Sequence, residues 1–74
     1  MSEIGKNIKL WRERRGMTAQ ELALKIRVGT KTIENYESGE QIPNTNTILK
    51  ISTVLDVPAS DLQGNKGKSM TNNQ

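Results

Sequence analysis

Residues 30–38 read Thr-Lys-Thr-Ile-Glu-Asn-Tyr-Glu-Ser. Ile33 and Tyr36 are three apart, the spacing of neighbours on one helix face. With that face turned inward, the outer face keeps Thr30, Lys31, Thr32, Asn35 and Ser38. Short hydroxyl and amide side chains with one cation suit hydrogen bonding to base edges and phosphates. Thr30 has a second reading, as the cap of this helix. The carboxylates Glu34 and Glu37 raise acid–base chemistry, but no nucleophile, metal ligand or pocket pattern accompanies them. Glu34 is instead expected toward the first turn, where a negative charge is favoured.

The chain contains no Cys and no His. That excludes disulfides, thiolate nucleophiles, Cys/His zinc sites and Ser-His-Asp arrangements. No catalytic residue, metal site or cofactor is expected, and an enzyme has no support. At 74 residues the chain is one domain. A chain of this length buries only about 60–65 % of the surface its unfolded form exposes. A flat or convex binding surface is therefore expected in place of a deep cleft.

The net charge is +3, and it is unevenly placed. Lys6, Lys9, Arg12, Arg14 and Arg15 crowd the first fifteen residues against Glu3 and Glu13. Two readings stand: a surface for a polyanion, or a solvated helix face. Apolar runs are too short to span a membrane, and residues 1–15 hold no signal-like apolar core. The reading is a soluble cytoplasmic protein with no membrane partner.

These polar residues need helices to position them. Ile4, Ile8 and Trp11 recur at spacings of four and three, predicting a helix over residues 4–15, with Ser2 as a cap and Gly16 closing it. Trp11 falls in register with the core and is not read as a stacking platform. Thr18 and Glu21 form a capping box that opens a helix over 19–26. Residues 30–37 form the third helix, ended by Ser38-Gly39. Asn44 caps a fourth helix over 45–55, whose apolar positions are Ile48, Leu49, Ile51, Val54 and Leu55. Pro58 starts a short fifth helix over 59–62. The domain is therefore residues 1–62. Residues 63–74 carry one apolar residue, Met70, and are expected to be a disordered polar tail that includes Lys66 and Lys68.

The second and third helices are joined by only Arg27, Val28 and Gly29, so they must cross at a large angle. Such a crossing needs a small residue where the helices touch, supplied by Ala23. It also needs apolar residues beneath, supplied by Leu22, Ile26, Val28, Ile33 and Tyr36. Here the chain resembles the lambda-repressor/Cro/Xre type of helix-turn-helix domain. The resemblance rests on Ile4-Gly5-Lys6-Asn7-Ile8, Leu10 to Thr18, Gln20-Glu21-Leu22-Ala23, Thr32 to Gly39, Pro43, and Ile48 to Val57 with Leu62.

The resemblance implies an all-α, compact five-helix lambda-repressor-like bundle with its third helix in a DNA major groove. It implies a sequence-specific DNA-binding transcriptional regulator, a repressor that binds a palindromic operator as a homodimer, at least on DNA. Carried over by position, Thr30, Lys31, Thr32 and Asn35 are candidate base contacts. Candidate DNA-backbone contacts are Gln20, Arg27, Gly39, Glu40, Gln41, Asn44, Thr45 and Asn46, those from 39–41 and 44–46 through main-chain N–H groups. Arg12 and Glu37 match positions that form an internal salt bridge. Two positions depart from the family. Ala19 stands where Gln is usual, and Arg27 stands where Gly is frequent. An Arg in a left-handed conformation there costs roughly 1 kcal/mol relative to Gly.

An alternative is an antitoxin or other protein-interaction module built on the same fold. Leu55, Val57 and Leu62 either form an apolar patch for dimerisation or finish the core. No ligand domain is expected after residue 62, so a regulatory signal would arrive through a partner or through protein level.

Overall fold

A computed structural model describes residues 3–64. Ser2, Lys66 and Lys68 lie outside the described residues, as does the expected tail from residue 65 onward. Five helices run in order: α1 (Glu3–Arg14), α2 (Ala19–Ile26), α3 (Thr30–Ser38), α4 (Thr45–Leu55) and α5 (Ala59–Gln63). The all-α, five-helix architecture expected from the sequence is what forms. Helix ends differ from expectation by at most a residue. Gln63 ends α5 and Gly64 caps it, so the folded part reaches two residues into the segment assigned to the tail. No described helix is long and apolar enough to cross a membrane.

Local chemistry sets the helix starts. The Glu21 N–H donates to Thr18 Oγ1 at 3.0 Å, and the Thr18 N–H donates to Glu21 Oε1 at 2.8 Å. This reciprocal pair satisfies donors that the first turn of α2 leaves open. Asn44 Oδ1 accepts the Thr47 N–H at 2.9 Å and opens α4 the same way. α3 differs. Gly29 is its N-cap and gives no side-chain hydrogen bond, so Thr30 is the first helical residue and not the cap. The first turn of α3 holds no acidic residue, because Glu34 comes a full turn in.

Helix stops share one geometry. After α1, α2 and α4, a left-handed residue follows the helix, and the next N–H reaches back to a carbonyl five residues earlier. The bonds are Met17 to Arg12, Val28 to Ala23 and Val57 to Ser52. Gly16 takes this conformation without cost, at φ 68°. Arg27 and Asp56 take it at φ 63° and 58° with a side chain attached. Each costs about 1 kcal/mol relative to Gly.

The core is one cluster drawn from all five helices, centred on Ile8, Leu22, Ile33, Ile51, Leu55 and Leu62. Ala23 is buried with it, and Val28 packs against it from the turn. Leu55 and Leu62 are fully buried and Val57 packs against the same cluster, so these residues finish the core and do not form a dimerisation patch. Leu49 is exposed, not part of the inner face of α4. Trp11 is half-buried against the core, with the guanidiniums of Arg14 and Arg15 at 5.1 and 5.3 Å from its ring centre.

Long-range polar interactions then fix α3 and α5. Arg12 forks onto Glu37: Nε donates to Oε2 at 2.7 Å and Nη2 to Oε1 at 3.1 Å. Both side chains are only 11 % exposed. Arg12 Nη1 also donates to the Met17 carbonyl at 2.8 Å. Beside this pair, Gly5 lets α1 approach α3. A Cβ there would collide with the Tyr36 carbonyl oxygen and lie 2.9 Å from that of Glu37. Asn7 Nδ2 donates to the Leu62 carbonyl at 3.0 Å and ties α5 to α1.

Candidate nucleic-acid interface

α3 advances about 100° per residue. Ile33 and Tyr36 face the core, and Glu37 turns toward Arg12. The opposite side is therefore defined from within. Lys31, Glu34 and Ser38 are exposed or half-exposed around it, and Asn35 stands half-buried beside them. Thr30 and Thr32 flank the ridge on either side, also half-buried. All four candidate base contacts thus belong to one helix and lie off its core-facing side. Glu34 joins that ridge, which sequence reasoning missed. The signal was available: its separation of three from Lys31 and four from Ser38 puts all of them on one face.

The surroundings of α3 divide the candidate backbone contacts. In the loop after α3 the main-chain donors are already used. The Gly39 N–H goes to the carbonyls of Asn35 and Tyr36, the Gln41 N–H goes to Asn35 at 3.1 Å, and the Glu40 N–H goes to Ser38 Oγ at 3.3 Å. These three cannot also hold phosphate as main-chain donors in this conformation. Of the three residues, Gln41 alone has a side chain that donates. The start of α4 is different. The N–H groups of Thr45 and Asn46 have no acceptor among the described residues, as the opening turn of a helix requires. They carry the positive end of the helix dipole. The side-chain oxygen of Asn44 is taken up in capping α4, which leaves its Nδ2 as the group that can donate.

Gln20 is exposed on α2, next to Ala19, whose partly buried methyl packs on the core. Arg27 is exposed in the turn between α2 and α3. None of Gln20, Arg27 and Lys31 has a side-chain hydrogen bond or ion pair among the described residues.

The basic end of α1 behaves otherwise. Hydrogen bonding to Glu37 raises the Arg12 pKa above its ordinary value, against the opposing effect of burial. Arg15 reaches across the molecule, donating from Nε to the Leu55 carbonyl at 2.6 Å and from Nη2 to the Asp56 carbonyl at 3.1 Å. It thereby neutralises the negative end of α4. Of the five cations that suggested a polyanion surface here, Arg12 and Arg15 are committed to internal carbonyls and to Glu37, while Lys6, Lys9 and Arg14 stay exposed. No cluster of acidic side chains able to hold a metal occurs among the described residues.

Comparison with known proteins agrees with this geometry. The helix-turn-helix family model HTH_3 matches residues 8–62. The HTH-type transcriptional regulator ImmR of Bacillus subtilis (strain 168) is 35 % identical over 69 residues, covering 93 % of this chain and 54 % of the relative. Endothelial differentiation-related factor 1 of Homo sapiens is 40 % identical over 53 residues, 72 % of this chain and 36 % of the relative. Its homolog in Gallus gallus is 42 % identical over the same length. The chain spans about half the length of ImmR and about a third of the other two. With its five-helix order, its short turn between α2 and α3, and a family match over most of its length, the chain belongs to the HTH_3 helix-turn-helix family, the Cro/C1 type.

Proposed function

We propose that the chain is the DNA-binding unit of a transcriptional regulator, a repressor that occupies a two-fold operator as a homodimer with α3 in the major groove. The observation that carries this reading is the polarity of α3. Its inner side is fixed by the core and by Arg12–Glu37, and its outer side offers the side chains of Lys31 and Asn35 without protein partners among the described residues. The role of ImmR as a transcriptional regulator supports the same reading.

Lys31 and Asn35 read base edges, with Thr30 and Thr32 at the flanks. An amide suits adenine and a lysine suits guanine. Glu34 accepts only from a base-edge donor such as the cytosine amino group, and it repels phosphate. The N–H groups of Thr45 and Asn46 hold one phosphate, and the side chains of Gln20, Arg27, Gln41 and Asn44 reach the backbone around it.

Selection of bound sequences from random duplex DNA tests the proposal. The selected site should be an inverted repeat with half-site centres about 10–11 bp apart. Affinity should fall steeply with salt as binding to phosphates releases counterions. A site with no dyad, or an affinity that is flat with salt, contradicts the reading.

A further inference from the structure

α2 and α4 form an open groove of about 560 Å³ on a face to which α3 contributes no residue. Ile26, Leu49 and Val54 supply apolar lining, and Lys25, Arg27 and Lys50 line it with positive charge. No carboxylate lines it. Leu49 is 50 % exposed, so an apolar side chain in the middle of α4 stands in water. The three cations make no ion pair among the described residues.

Apolar surface beside unneutralised positive charge is complementary to a partner that is apolar along one ridge and acidic at its edges. We infer that this groove docks an acidic amphipathic helix of a partner protein, with its apolar ridge on Leu49 and Val54 and its carboxylates on Lys25 and Lys50. Other occupants fit less well. A second copy would bring its own net charge of +3 to a positive surface. DNA phosphates would match the cations but would press a polar backbone onto Leu49. A small anionic molecule would remain largely in solvent, since the groove is open and small-ligand sites enclose most of their ligand.

The test uses the full chain without DNA, so its failure is separate from failure of the DNA-binding reading. The chain is titrated with a synthetic helical peptide bearing leucines on one ridge and glutamates beside them. A control peptide carries lysine at every glutamate. Amide NMR signals report the binding face. The glutamate peptide should shift the signals of Lys25, Arg27, Leu49 and Val54, and the lysine peptide should not. Leu49→Glu should weaken binding by about tenfold or more, with the thermal midpoint lowered only slightly because half of the side chain already stands in water. Lys50→Glu should weaken the glutamate peptide and favour the lysine peptide. Equal binding of both peptides, no binding at millimolar concentration, shifts confined to α3, or indifference to both substitutions would overturn the inference. A Leu49-dependent dimer in sedimentation, without peptide binding, would overturn it in favour of self-association.

Discussion

The end of α1 and the outer side of α3 are both polar helix surfaces carrying cations, and they do opposite things. Arg12 and Arg15 are bonded to Glu37 and to the carbonyls of Met17, Leu55 and Asp56. The side chains of Lys31 and the neighbouring Arg27 have no protein partner among the described residues. The first pair holds the orientation of α3 and the end of α4. The second pair stays exposed to solvent. A formal charge count treats all four alike, but a guanidinium bonded to internal acceptors offers fewer donors to a phosphate. Arg12 and Arg15 therefore spend their charge inside the molecule, while Lys31 and Arg27 present theirs to solvent in α3 and the turn before it.

The largest expected effect comes from breaking the internal side of this contrast. Glu37→Ala leaves Arg12 mostly buried without its carboxylate and should cost about 3–5 kcal/mol of stability. Chemical denaturation measures it, and the surviving folded fraction should keep the wild-type base preference. The same change leaving stability untouched would mean the pair is not holding α3.

Next comes the external side. Asn35 and Glu37 are two residues apart and point about 160° away from one another on the helix. Asn35→Ala should leave folding nearly intact and reduce discrimination at one or two bases by about 1–3 kcal/mol. Binding to matched and mismatched duplexes measures this. Loss of folding instead would show that the α3 register is wrong.

Arg15→Ala removes two bonds to carbonyls at the end of α4. It should cost about 1–2 kcal/mol in denaturation, as hydrogen bonds from a charged group do. The smallest change sharpens the comparison from the other direction. Arg27→Gly should stabilise the fold by about 1 kcal/mol, by relieving the left-handed backbone. It should weaken DNA binding at low salt at the same time. A gain in both properties would remove Arg27 from the proposed interface.

What was readable in the sequence was mainly local. Thr18 with Glu21, Asn44 and Gly16 announce helix ends because caps act within a turn or so of the chain. The inward periodicity of Ile33 and Tyr36 was readable for the same reason, and it orients α3. What was not readable depends on residues far apart in sequence. Arg15 looks like any exposed cation until α4 ends beside it, forty residues away. Gly5 looks like a weak point in α1 until the carbonyls of α3 arrive against it. Leu49 fits a helix pattern, yet it stays half-exposed. The inward bonding of the Gly39, Glu40 and Gln41 N–H groups follows from the turn geometry after α3, which residue types alone leave open.

The division of labour between the end of α1 and the turn into α3 is tested most directly by the salt dependence of DNA affinity for the wild type, Arg15→Met and Arg27→Met, on one duplex. Each substitution that removes a cation from a phosphate should make the slope of log K against log salt shallower by about one. Arg27→Met, at the proposed backbone contact, should show that change, and Arg15→Met should run parallel to the wild type, since its guanidinium is held by Leu55 and Asp56. A shallower slope for Arg15→Met with an unchanged slope for Arg27→Met would contradict the assignment of Arg15 to structure and Arg27 to recognition.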